Sequence, residues 1–222
     1  MSSEICLKYV LPMRSGEEIK ARQDQFVTSY RFPKTDIFPK MKAWTAAINA
    51  SVRTRYYPVY SCDRKGRPAA VFFWKAELEK LGEKYKQSRQ TRAQFIKDVC
   101  TLQASINKSQ YHNCFANGRI RIGQCQKSLS IFLKWMWCQG ELAGMPPVCP
   151  IDGQVLAKCR RILKEYQEGT VEEIKDTYVS WSNLDCLVLY ERLVDITEKV
   201  AALTEDRRPA VWELFAFEKP VH

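Results

Sequence analysis

Apolar positions recur along this chain at steps of three and four, and the strict alternation of a half-buried strand persists nowhere. Val71, Trp74, Leu78, Leu81 and Tyr85 fall at steps of 3, 4, 3 and 4, which places them on one face of a helix. Phe95, Val99, Leu102 and Ile106 repeat the pattern. Cys125, Leu129, Phe132, Leu133 and Met136 predict a strongly apolar helix that opens near Gln124 and ends at Gly140. Val155, Leu156, Cys159, Ile162, Leu163 and Tyr166 predict the next, closed by Gly169. Leu187, Val194 and Val200 mark a long helix, and Pro209 restarts a short last one with Trp212 and Phe215. Towards the N-terminus, Ile19, Phe26, Val27 and Tyr30 share one side of a helix, and Met41, Trp44 and Ile48 share another.

The punctuation agrees with these spans. Ser15-Gly16-Glu17-Glu18 and Thr170 to Glu173 have the form of capping boxes, a hydroxyl followed three residues later by a glutamate. Ser182 to Asp185 resembles a third cap. Pro33 and Pro39 bound a connector. Residues 51–70 read as loop with a short extended piece at Tyr56 to Tyr60, 111–123 as a loop containing Asn117-Gly118, and 144–150 as a proline-rich turn. The expected fold is all-α, with nine or ten helices in one domain, 1–222, built as two helical lobes with a cleft between them.

Composition narrows the class. Apolar residues make up 45% and charged residues 27% of the 222, which excludes a disordered or low-complexity chain. No apolar run approaches the length of a membrane span, since Ile131 to Cys138 is broken by Lys134. The N-terminal residues do not read as a secretory signal. The nine cysteines include no C-x-x-C pair and form no ligand pattern with His112 or His222, so no metal site is expected. Their odd number fits reduced thiols in a cytoplasmic protein, most of them small core residues.

Charge is unevenly spread. The formal net charge is +10, and residues 84–134 hold ten basic residues against the single acid Asp98. Residues 135–222 reverse the sign, with ten basic and fifteen acidic. A positive field of this kind concentrates polyanions, and nucleic acid is the commonest such partner. No stretch combines a basic face with a strongly apolar one, so a membrane surface is not expected as partner.

Two residues stand out as chemistry. Lys127 is read at the start of the apolar helix, where the helix dipole disfavours a cation and apolar neighbours would favour the neutral amine, a nucleophile capable of forming a Schiff base. Asp152 follows Pro150-Ile151 and precedes Gly153-Gln154-Val155, an N-cap position whose carboxylate accepts from the amides of residues 154 or 155. Ahead of Lys127, Gly118 to Gly123 reads as a glycine-bounded basic hairpin, whose free amides, with Arg119 and Arg121, would hold a phosphate.

The segment Ile122-Gly123-Gln124-Cys125-Gln126-Lys127, followed by Pro150-Ile151-Asp152, resembles the helix-hairpin-helix DNA glycosylases, including the archaeal 8-oxoguanine glycosylase branch. In that superfamily a glycine-rich hairpin leads into a helix carrying a catalytic lysine, and a catalytic aspartate follows a proline-containing turn. Here Lys127 lies four residues beyond Gly123 where the commonest members have two, and the hairpin lacks their L-P-G start. The matching segment lies within about 107–167.

The resemblance implies excision of a damaged or modified base from DNA, with Lys127 attacking C1′ and Asp152 stabilising the developing oxocarbenium charge. Abasic-site lyase activity would follow from the covalent imine. DNA contacts would come from Gly118, Arg119, Arg121, Gly123 and Gln124. Trp44, Trp135, Trp181 and Phe215 are candidates for the pocket of the everted base. No metal or organic cofactor is required, and a monomer is expected. The alternatives are a non-catalytic helical nucleic-acid-binding protein, in which Lys127 contacts phosphate and Asp152 only caps, and a defence glycosylase acting on modified viral bases. A helical module docking a protein through its acidic C-terminal part with Trp212 and Phe215 is a further one.

Overall fold

The computed structural model of the protein describes residues 13–29, 43–53, 59–63 and 66–217. Among them the chain is helical. The helices are α1 (Gly16–Ser29), α2 (Ala43–Val52), α3 (Arg67–Gln87), α4 (Arg92–Lys108), α5 (Ile122–Cys138), α6 (Gly153–Glu165), α7 (Val171–Asp176), α8 (Leu187–Ala202) and α9 (Pro209–Ala216). Expectations resting on Cys6, Tyr30, Pro33, Pro39, Met41 and Tyr56 fall outside the described residues.

Local sequence accounts for most of the boundaries. At α1 the Glu18 amide donates to Ser15 Oγ at 3.1 Å, and the Ser15 amide donates to Glu18 Oε2 at 2.7 Å. The same reciprocal box opens α7 between Thr170 and Glu173, at 3.1 and 2.8 Å. In α3 a proline occupies the first turn, where its missing N–H has no helical partner to lose. Thr91 caps α4 by accepting from the Gln94 amide.

Two boundaries differ from the sequence reading. α5 begins at Ile122, not near Gln124. The Ile122 amide donates to the Asp185 carboxylate at 3.3 Å, and Gln124 Oε1 accepts from the Arg121 amide at 2.9 Å. A side chain from another part of the chain therefore closes the helix early. It follows that Gly123 lies inside α5 and Lys127 in its second turn rather than its first. Ser182 to Asp185 is not the cap of α8; Trp181–Asn183 forms a short 3-10 turn and α8 starts at Leu187. The loop read over 111–123 holds two 3-10 turns, His112–Cys114 and Ala116–Gly118, with Tyr60 bridging antiparallel to Phe115, and of the hairpin read from Gly118 to Gly123 the last two residues belong to α5.

α5 is the central helix. α1, α2, α3 and α4 all pack on it, while α8 packs against α6, α7 and α9. One hydrophobic cluster runs from Ala47 on α2 to Trp212 on α9. α3 contributes Trp74 and Leu78, and α4 contributes Phe95, Val99 and Leu102, each fully enclosed, as their 3–4 spacing predicts. Because α5 is enclosed on nearly every side, its polar side chains are buried too: Gln124, Gln126, Lys127, Ser128, Ser130 and Lys134. Buried polar groups need partners. Ser128 Oγ accepts from Trp74 Nε1 at 3.1 Å, and Lys134 donates to Glu213 Oε2 at 2.6 Å.

Candidate active site

Lys127 meets Asp152. Its Nζ lies 3.2 Å from Asp152 Oδ2, with side-chain exposures of 10% and 23% respectively. The two residues are 25 positions apart in the chain, and the turn after α5 brings the second back to the first. The two oxygens of Asp152 divide the work. Oδ1 accepts from the amides of Gln154 and Val155 at 2.9 and 3.0 Å, which caps α6. Oδ2 faces the lysine. The carboxylate is thus held rigidly by the helix it caps, while one oxygen stays turned to an amine.

The third member is Trp181. Lys127 Nζ lies 4.1 Å from the centroid of its ring, within cation–π range. The indole stands on the 3-10 turn Trp181–Asn183 and is half-buried. A buried amine next to a fixed carboxylate and an aromatic face has the components of nucleophilic chemistry, a nucleophile and a proton acceptor within hydrogen-bond reach.

Three neighbours set this geometry. Gln126, with no exposed surface, donates through Nε2 to the Ile151 carbonyl at 2.6 Å and accepts the Ile151 amide on Oε1 at 3.2 Å. It ties the residue before Asp152 to the residue before Lys127. Gly123 permits the approach of the 3-10 turn: a Cβ there would stand 1.8 Å from the Trp181 carbonyl oxygen. Its amide donates to the Leu184 carbonyl at 2.8 Å. Gln124 Nε2 donates to the Ser182 carbonyl at 2.8 Å.

These contacts bear on the residues read as a phosphate cradle. The amides of Ile122 and Gly123 are not free; both donate within the chain, to Asp185 and Leu184. The start of α5 is therefore closed by the 181–185 segment. Arg119 pairs with the Asp185 carboxylate, and Arg121 Nη1 donates to Asn183 Oδ1 at 2.5 Å and to the Ser182 carbonyl at 3.3 Å. Gly118 stands outside this cluster at the end of a 3-10 turn, with φ of +67° in the left-handed region. Gly123, Gln124 and Arg121 thus hold Trp181 in place whatever else they touch.

Of the four aromatic residues expected at a pocket, Trp181 is placed at Lys127. Trp135 is buried further along α5 and packs edge-on to Phe26 at 5.2 Å. Trp44 packs against the core from α2 with the Lys75 ammonium over its ring. Phe215 lies on α9 under the Arg14 guanidinium, 3.9 Å from its centroid. Gln126 stood in the segment Ile122 to Lys127 without a role of its own. Its one sequence signal was a polar residue on the face of α5 that carries no solvent-exposed position.

Among the described residues no group of three His, Cys, Asp or Glu side chains is arranged to hold a metal ion. No described helix is long and apolar enough to cross a membrane. Compared with known protein families, with curated proteins and with solved structures, the chain matches none.

Proposed function

We propose that this protein is a DNA glycosylase with Lys127 as nucleophile and Asp152 as its proton acceptor and charge stabiliser. The observation that carries the reading is the 3.2 Å approach of the Lys127 amine to Asp152 Oδ2 beside the Trp181 ring. In this reading α4, the turns that follow and α5 act as the helix-hairpin-helix element, and the site opens into a cleft between two helical lobes of a monomer.

The chemistry balances on these residues. Lys127 passes a proton to Asp152, and its amine attacks C1′ of the target nucleotide. The C1′–N bond breaks, and its electron pair leaves with the base, which takes up a proton. The lysine nitrogen, an ammonium after the attack, gives a proton to Asp152, and the lone pair so freed forms the C1′ imine as the C1′–O4′ bond opens and O4′ takes up that proton. Removal of a C2′ proton expels the 3′ phosphate, the lyase step. Asp152, held through Oδ1 by two helix amides, passes the proton first taken from Lys127 on to the departing base, and its carboxylate then faces the positive charge that develops on the sugar. Trp181 offers its face to the everted base, which must leave the stack at a cost of a few kcal/mol.

The test is single-turnover release of base from duplexes carrying oxidised, alkylated or bulky modified bases, comparing the wild type with Asp152→Asn and Lys127→Gln. Base release lost in both variants, with DNA binding kept, is the expected result. No release from any duplex, together with no covalent trapping on abasic DNA, would leave a non-catalytic nucleic-acid-binding protein.

A further inference from the structure

A second positively charged feature lies away from Lys127. A cleft of about 660 Å³ opens where the N-terminus of α4 meets the segment leading into α9. Arg89 and Arg92 line it from one side, Arg207 and Arg208 from the other. Sequence charge alone does not show this, because Arg207 and Arg208 belong to the acidic part of the chain and the fold carries them to the basic part.

The four guanidinium groups are not equivalent. Arg92 is held by acids, Asp195 Oδ1 at 2.5 Å and Glu198 Oε2 at 2.8 Å. Glu198 is the acidic residue on the cleft wall, so Arg92 neutralises it. No salt bridge among the described residues includes Arg89, Arg207 or Arg208. Nearby Asp206 is engaged elsewhere, by Arg14 Nε at 2.5 Å. Arg89, Arg207 and Arg208 therefore line a cleft whose one carboxylate, Glu198, is taken by Arg92, with Asp206 acting on Arg208 from outside the wall. The Arg208 Nε–H is buried and has no acceptor. A buried donor without a partner is costly.

Two structural details place the stem of Arg89 and the backbone of Arg207 at the cleft. The stem of Arg89 lies across Gly144, where a Cβ would meet its Cγ at 3.0 Å. Arg207 holds a left-handed backbone, φ +48°, which turns the chain just before Pro209. The rest of the wall is Met145, Pro146, Pro147 and Pro209, which are apolar, with Gln90 and Thr91 at the start of α4. A row of guanidinium forks beside a flat apolar wall suits alternating phosphates and sugars. The positive end of the α4 dipole adds to the field.

We propose that this cleft seats the sugar–phosphate backbone of a nucleic-acid strand, as a binding site separate from Lys127. The whole-chain charge of +10 favours a polyanion over a free nucleotide, and the two neutral polar side chains of the wall are engaged within the chain, Gln90 Nε2 donating to Ser88 Oγ and Thr91 Oγ1 accepting from the Gln94 amide. The proposal goes beyond the glycosylase reading and does not need Lys127 to be a nucleophile.

The experiment is a salt titration of binding to a fluorescein-labelled single strand of mixed sequence, followed by anisotropy. Arg89→Gln/Arg207→Asn removes two charges from exposed side chains, and asparagine tolerates the left-handed backbone. Lys164→Gln/Lys175→Gln removes two charges from exposed positions on α6 and α7 and serves as the control. The cleft variant is expected to bind about tenfold more weakly, with the slope against log salt smaller by roughly 1.4, while the control stays near wild type. Equal losses in both variants would overturn the proposal, as would a fluorescent nucleoside triphosphate that occupies the cleft while strand affinity is unchanged by the variant. Covalent trapping on abasic DNA at saturation is measured alongside. It stays at the wild-type level in the cleft variant, which separates failure of this site from failure of the Lys127 assignment.

Discussion

The carboxamide of Gln126 grips Ile151 at both of its backbone polar groups, donating to the carbonyl at 2.6 Å and accepting from the amide at 3.2 Å. One residue further on along each segment stand Lys127 and Asp152, 3.2 Å apart. The Lys127–Asp152 pair is thus mounted on a second, fully buried pair that no charge holds together.

Gln126→Leu leaves the Ile151 N–H and C=O buried without partners. Each unsatisfied group costs roughly 1–3 kcal/mol. Urea unfolding is expected to show a loss in that range or above. Single-turnover base release should slow more than DNA binding weakens, because the Asp152 carboxylate loses its register against the amine. A variant with wild-type stability and rate would show that the bridge holds nothing.

Gly123→Ala tests the closure of the site from the other side. The new Cβ would meet the Trp181 carbonyl oxygen at 1.8 Å, and that oxygen is backbone. The 181–185 segment has to move, which carries Trp181 away from Lys127. A stability loss of about 1–3 kcal/mol or more is expected from thermal denaturation. An unaltered Tm would mean that the turn is not packed on α5.

Lys134 serves as an internal comparison. It lies seven residues after Lys127, two turns along the same helix, and is equally buried, but its partner is Glu213 at 2.6 Å. Lys134→Met strands a buried carboxylate and is expected to cost about 3–5 kcal/mol. Lys134→Met/Glu213→Leu should recover most of that, and covalent trapping should survive in it. Loss of trapping in this double variant would move the nucleophile from Lys127 to Lys134.

Phenol titration gives a pH signature of the core. Burial pushes the Tyr60 hydroxyl up to about 12, against the opposing Arg67 cation. Burial, with Asp98 accepting its hydroxyl at 3.0 Å, raises Tyr85 as well. The folded state therefore holds these protons when the unfolded chain, with phenols near 10, has released them. For Tyr60 the stabilising effect is whole below pH ~10 and is lost as pH rises through about 12. Absorbance at alkaline pH, wild type minus Tyr60→Phe, should show a midpoint close to 12. A midpoint at the ordinary phenol value would place Tyr60 in solvent.

How much of this was legible beforehand depended on the range of the interaction. α3 and α4 were legible because Trp74, Leu78, Phe95 and Leu102 repeat at helical spacing against one core. The boxes at Ser15 and Thr170 and the cap at Asp152 were legible because each is complete within four residues. The start of α5 was not, since it is set by Asp185, more than sixty residues away. Gly123 read as a hairpin glycine, but what requires it is the Trp181 carbonyl. Trp181 was one aromatic residue among several, and nothing local distinguishes it from Trp135, which the core absorbs. Gln126 was silent for the same reason: its partner is a backbone, and a backbone has no sequence.

The most direct test of the central claim is borohydride trapping on DNA carrying an abasic site. Reduction converts an imine between Lys127 and C1′ into a stable amine, and the covalent protein–DNA species is read on a denaturing gel. The expected result is a trapped adduct with the wild type, with Asp152→Asn slowed and with Lys127→Gln absent, peptide mapping placing the adduct on Lys127. An adduct of undiminished yield in Lys127→Gln, or none in the wild type at DNA concentrations that saturate binding, would contradict the account.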